Sequence, residues 1–174
     1  MEIKMMIVIL VCLSLAGSIS WVIPSASQRA QAKIRQLAMT KGLKVKVGKL
    51  QGPREQGEVA PDSHLATSYG LPRHNKPRGA GGISAIHQVS WEIFKAKGLN
   101  IQGLPQGWCW HRGEGALKSE QLSYLAELIN QLPSDVYALC VTPIGAQAYW
   151  HEKATPAQLD DLEKVLKELV LDKF

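Results

Sequence analysis

The chain has 174 residues, 45% of them hydrophobic and 20% charged, a balance near ordinary globular usage that excludes wholesale disorder. Fifteen glycines without a G-X-Y period exclude collagen, and three cysteines exclude a multi-bridge scaffold. The net charge of +5 is concentrated: residues 25–54 hold eight basic side chains and no acidic one, whereas residues 55–174 hold eleven basic and fourteen acidic ones. One local basic block beside a neutral-to-acidic remainder does not signal a general affinity for nucleic acid.

From Met5 to Ile23 no residue is charged. Nineteen residues at about 1.5 Å each span roughly 28 Å, close to the hydrocarbon thickness of a bilayer, so residues 1–24 are predicted as a transmembrane anchor. Trp21 suits the headgroup level at its far end, and Pro24-Ser25 marks the exit. Ser14 with Ser18, and Ala16 with Ser20, have the small-residue spacing that lets membrane helices approach closely, while Cys12 reads as a small apolar residue. The competing reading is a cleaved signal peptide, with small residues from Ala16 to Ser20 offering a cleavage site. Charge discriminates between them. Glu2 cancels Lys4 before the apolar run, and the basic residues come after it, a flank that the positive-inside rule retains in the cytoplasm. The expected location is the inner membrane, single-pass, N-terminus out and C-terminal domain cytoplasmic.

Residues 25–42 are predicted as a basic juxtamembrane helix, capped by Ser25 or Ser27 and closed by Gly42. Ala30, Ile34, Leu37 and Ala38 fall on one side; Arg29, Lys33 and Arg35 lie elsewhere around the axis. These three and Lys41 are the expected lipid-facing flank, each gaining on the order of 1 kcal/mol beside anionic headgroups. The block has no interleaved aromatic for stacking on bases and no reading motif, which argues against nucleic acid as a partner. An apolar anchor, a basic helix and then Lys41-Gly42-Leu43-Lys44-Val45-Lys46-Val47 resembles, over residues 5–52, the layout of the YajC auxiliary subunit of the bacterial preprotein translocase. That resemblance implies an accessory role in a membrane complex.

Residues 43–174 are predicted as a soluble α+β domain. Leu43 to Val47 alternates apolar and basic residues, the signature of a strand with one wet face. Residues 51–85, with six glycines and four prolines, read as loop apart from a short strand near His64–Tyr69. Within them Arg73, His74, Lys76, Arg78 and Gly79-Ala80-Gly81-Gly82 form a basic glycine-rich segment that lacks the ending of a P-loop. Ile86–Phe94 alternates as a strand with Val89, Trp91 and Ile93 on one face, and Trp108–His111 reads as another. A helix follows from a Ser119 cap to Pro133, with a stripe of Leu122, Leu125, Leu128, Ile129 and Leu132. Val136–Val141 and Gln147–Glu152 flank a Pro143-Ile144-Gly145 turn as a hairpin. The last helix has a Thr155 cap, Pro156 at its first position, Gln158 to complete a capping box, and outward pairs Asp160–Lys164 and Glu163–Lys167. The expected whole is an N-terminal membrane helix followed by a small antiparallel or mixed sheet with two or three helices packed on it.

Chemistry is sparse. The five histidines show no metal-ligand spacing with one another, with cysteine or with carboxylates, and no cofactor is indicated. Cys109 with His111 is the one nucleophile–base pair that strand alternation puts on a common side. Cys109 and Cys140 can bridge only in an oxidising compartment, which makes them a test of topology. Trp108, Trp110 and Trp150 are candidate docking aromatics, weighed against the alternative that indoles fill a small core. The functional expectation is a non-enzymatic membrane protein with a cytoplasmic interaction or accessory domain and a protein partner; the alternative is an exported periplasmic binding protein or enzyme, released near residue 20.

Overall fold

The computed structural model describes residues 3–22, 24–53, 63–73, 89–97, 100–153 and 155–171, with side chains in the first segment described for 3–15. Contacts divide the chain into two compact units, residues 1–33 and 34–174.

In the first unit α1 runs Ile3–Val22, and its described side chains are apolar on every side of the axis apart from Lys4 and Ser14. Among the described residues no helix is long and apolar enough to cross a membrane, so the expected transmembrane helix is not supported; the side chains described in α1 end at Leu15, short of a span. The second helix, α2 (Ala26–Thr40), begins with a reciprocal capping box. The Gln28 N–H donates to Ser25 Oγ at 3.2 Å, and the Ser25 N–H donates to Gln28 Oε1 at 2.9 Å. Of the two serines considered, Ser25 is the cap.

The second unit takes in the later residues of α2, because Ile34 and Ala38 are buried in its core. The helix closes where Gly42 adopts a φ of +81°, a left-handed position that glycine fills without strain. Six strands follow: β1 (Lys44–Gln51), β2 (Ser63–Pro72), β3 (Trp91–Phe94), β4 (Cys109–Arg112), β5 (Val136–Thr142) and β6 (Gly145–Trp150). Helix α3 (Ser119–Asn130) separates β4 from β5, and α4 (Pro156–Val170) ends the described chain. The strands form one antiparallel sheet in the order β1-β2-β6-β5-β3-β4. The fold is therefore α+β, with the sheet antiparallel rather than mixed.

Alternation assigns the sheet two unequal faces. Tyr69, Trp91, Ile93, Trp110, Leu139, Val141, Ala148 and Trp150 meet α2, α3 and α4 in the main core. Leu159, Leu162, Val165, Leu166 and Leu169 of α4 are all buried there, as the helical stripe requires. Two edge-to-face pairs, Tyr69–Trp150 at 5.1 Å and Trp91–Trp110 at 6.2 Å between ring centroids, set its aromatic packing. A smaller cluster of Leu50, Ala66, Phe94, Cys109 and Ala138 lies on the opposite face.

Several local expectations shift. β2 is a ten-residue strand within the stretch expected to be mostly loop, because Tyr69 and its neighbours find partners on both sides, β1 and β6. β3 starts only at Trp91; Val89 and Ser90 are not in a strand, and Ile86–Gln88 lie outside the described residues. The α3 cap is Lys118 rather than Ser119, its N–H donating to Gln121 Oε1 at 2.9 Å. Asp160 does not pair with Lys164, which sits 3.5 Å from Asp161 instead. The basic glycine-rich segment from His74 to Gly82, together with His87, lies outside the described residues.

Candidate functional site

The four basic residues expected to face lipid separate into two groups. Arg29 and Lys33 are exposed, the Arg29 Nε donating to the Pro24 carbonyl at 2.9 Å. Arg35 and Lys41 are turned onto carboxylates of the folded domain, which corrects their assignment as a free cationic flank. Lys41 Nζ lies 2.8 Å from both Asp160 Oδ1 and Glu163 Oε2, and these bonds raise its pKa. Arg35 donates from Nε to Glu152 Oε1 at 2.6 Å, and from Nη2 to Glu152 Oε2 at 2.5 Å and Thr67 Oγ1 at 3.3 Å.

Glu152 is the centre of this node and escaped the sequence reading. It follows β6 with a φ of +57°, a left-handed conformation costing an L-residue about 1–2 kcal/mol, and only 6% of it is exposed. Its carboxylate is held from two directions, since the Tyr69 hydroxyl also donates to Oε1 at 2.7 Å. Burial, followed by the Glu152 hydrogen bond, raises the Tyr69 pKa, and the same carboxylate raises that of Arg35. The node is a latch: a bidentate ion pair with a phenol tying α2 to β2 and the end of β6.

On the sheet face opposite the helices, register brings together residues far apart in sequence. Lys44 pairs with Gly70, Gly70 with Gln147, Gln147 with Cys140, Cys140 with Glu92, and Glu92 with Arg112. These residues form a polar row across the whole sheet. At its β4 end the Glu92 pKa is raised by burial, an effect that His111 and Arg112 oppose, with His111 Nε2 3.9 Å from Glu92 Oε2. Burial, then the Glu92 charge, pushes the Cys140 thiol up to about 11, and burial pushes the Tyr149 phenol up to about 12. A thiol held protonated at neutral pH is a poor nucleophile, and none of these groups is poised for nucleophilic attack.

At its β1 end the row opens into a cleft of about 140 Å³, lined by Lys44, Lys46, Ser68, Gly70, Ile144 and Gln147 among others. Its floor is bare because Gly70 has no side chain: a Cβ there would stand 3.1 Å from Gln147 Cγ and 3.5 Å from the Ala146 carbonyl oxygen.

The other sequence candidates do not assemble into a site. Trp108, Trp110 and Trp150 are 5%, 4% and 2% exposed and belong to the main core, so they offer no docking surface. Cys109 is fully buried against Phe94, away from any substrate, which removes it as a nucleophile for His111. All three cysteines are thiols. Cys109 and Cys140 lie on β4 and β5 with β3 between them, so their backbones are about 10 Å apart by strand spacing, beyond the roughly 7 Å that a disulfide spans. The bridge expected to report the compartment is excluded by the fold. Among the described residues no cluster of His, Cys, Asp and Glu could hold a metal ion. No family model matches the chain, the YajC family included, and no curated protein or solved structure matches it.

Proposed function

We propose that this is a single-pass inner-membrane protein whose α+β domain lies in the cytoplasm and serves a non-enzymatic interaction or accessory role in a membrane complex. The observation that carries the reading is the surface of α1. Ten large apolar side chains between Ile3 and Leu15 are exposed, each by about half or more, on a helix whose described side chains present no polar face to water. Lipid is the solvent that suits such a helix, because it meets apolar side chains on all sides while the helix satisfies its own backbone. Ile3–Val22 numbers 20 residues, about 30 Å at helical rise. The basic block that follows supports retention of the domain inside, and Arg29 and Lys33 are left to face anionic headgroups.

The test uses C-terminal fusions to two reporters, one active only in the cytoplasm and the other only in the periplasm, with the intact mass measured from membranes. Cytoplasmic signal with residues 1–24 retained is expected. Periplasmic signal with a mature chain starting near residue 20 would refute the anchor and leave an exported protein in its place.

A further inference from the structure

The geometry points to the cleft at the β1 end of the sheet as a binding site for a phosphate group, held between Lys44 and Lys46. The two lysines stand two residues apart on one strand, so both project to the cleft side, and both belong to its lining. No carboxylate is among the lining residues, and among the described residues neither lysine is in an ion pair, in contrast to Arg35 and Lys41 of the same basic block. The described carboxylates lie elsewhere: α3 and α4 carry Glu120, Glu127, Asp160, Asp161, Glu163 and Glu168, Glu114 precedes α3, Asp135 precedes β5, Glu152 is held by Arg35 and Tyr69, and Glu92 lies toward the far end of the polar row. Two cations without a counter-ion among the described residues therefore face a concave surface whose remaining side-chain polar groups are the Gln147 amide and the Ser68 hydroxyl, the latter donating to the Lys46 carbonyl at 3.4 Å.

Charge and shape select the ligand class. Two point-like ammonium groups match a phosphate carrying about −1.5 to −2 near neutral pH, whereas one carboxylate would leave a lysine unmatched. Planar carboxylates are bound best by the fork of arginine, and no arginine lines the cleft. A volume of about 140 Å³ is well below the 300–1,000 Å³ of sites that enclose a whole drug-sized molecule, so the cleft takes a phosphate group and leaves its substituent outside. Gly70 keeps the floor clear for the anion. The site stands whether or not α1 enters a membrane, and its phosphate can come from an anionic lipid headgroup or from a soluble phosphate.

The test follows inorganic phosphate by phosphorus NMR against the full chain in phosphatidylcholine nanodiscs, at low ionic strength. Saturable binding is expected, weakened at least about tenfold in Lys44→Gln/Lys46→Gln, since each lost charged contact is worth about that factor. The charge-matched control Lys49→Gln/Lys153→Gln should stay close to wild type, as Lys49 projects to the opposite side of β1 and Lys153 lies past β6. Gly70→Ala retains both lysines and fills the floor, so it too should bind more weakly while keeping wild-type tryptophan fluorescence; it carries the test if the double variant fails to fold. Repeating the titration in discs containing phosphatidic acid separates the sources. Loss of phosphate binding there identifies the headgroup as occupant, and undiminished binding identifies a soluble phosphate. Absence of saturable binding, or equal loss in the Lys49/Lys153 control, overturns the site.

Discussion

Replacing Arg35 by Met keeps the length of the side chain and removes its charge and donors. Among the described residues, the Glu152 carboxylate, 5% exposed, then loses two of its three hydrogen bonds and its one cation, keeping the Tyr69 hydroxyl. Stranding one member of a buried ion pair costs about 3–5 kcal/mol. Arg35 is itself 36% exposed, so water already screens the pair, and the discounted expectation is about 2–3 kcal/mol. For a domain of this size that corresponds to a fall of roughly 5–12 °C in Tm. Glu152→Gln should cost less, because the arginine left behind can reach solvent. In Arg35→Met/Glu152→Gln no charge is stranded, so the double variant should be less destabilised than the two single losses added together, by about 1–2 kcal/mol. Urea unfolding of the full chain in non-ionic micelles, read by tryptophan fluorescence, measures all three, since Trp91, Trp108, Trp110 and Trp150 are buried in the core that would open. An Arg35→Met loss below about 0.5 kcal/mol, or a strictly additive double variant, would refute the latch.

Hydrogen bonds from Lys167 and Lys41 hold the Glu163 carboxylate below its usual pKa, so its contribution is present above about pH 4.3 and is lost as the pH falls through the lower folded-state value. Lys41→Ala/Lys167→Ala should therefore be slightly less stable than wild type at pH 7, with the difference shrinking as the pH falls below that range; a difference that persists undiminished in acid would refute the assignment. Gly107 and Gly113 both adopt left-handed φ, +86° and +78°, but a Cβ on Gly107 meets nothing within 4 Å, whereas on Gly113 it would stand 2.6 Å from the Ser90 carbonyl oxygen and 2.7 Å from Trp91 Cβ. Gly107→Ala should cost about 1 kcal/mol of backbone strain and Gly113→Ala a further 1–3 kcal/mol or so of overpacking in the same unfolding assay; equal losses would refute the steric reading.

What was legible in the sequence was whatever a local pattern controls. Thr155, Pro156 and Gln158 announce the start of α4, and its leucine stripe names the buried face; the Thr155 N–H donates to Gln158 Oε1 at 2.8 Å as the motif requires. The β5–β6 hairpin was equally readable from two apolar runs around Pro143-Ile144-Gly145. β2 was readable only over His64–Tyr69, because Gly70 and Pro72 weaken the strand signal beyond Tyr69, and the pairing that extends it comes from β1 and β6, the latter about 80 residues away. The same separation hides the polar row, whose members come from all six strands, and the latch, whose Arg35 and Glu152 are 117 residues apart. Glu152 left no sequence signal at all: an isolated acid after a strand is ordinarily solvated, and only the tertiary fold aligns Arg35 and Tyr69 on it.

The basic block also has to be understood at two different times. On the topology proposed above, retention of the cationic flank would be decided on the nascent chain, before β-strands distant in sequence can pair, by the basic residues within about 15–20 positions of the apolar run: Arg29, Lys33, Arg35 and Lys41. Folding then distributes the described basic residues. Arg35 and Lys41 are taken up by Glu152, Asp160 and Glu163, Lys44 and Lys46 line the cleft, and Arg29, Lys33 and Lys49 stay exposed. Neutralising Lys44 and Lys46, which lie beyond that range, should therefore remove the cleft's charge and leave the proposed orientation unchanged. Neutralising Arg29 and Lys33 should remove half of the proposed retention signal and leave the cleft intact. The two pairs of substitutions thus test the proposed topology and the proposed binding separately.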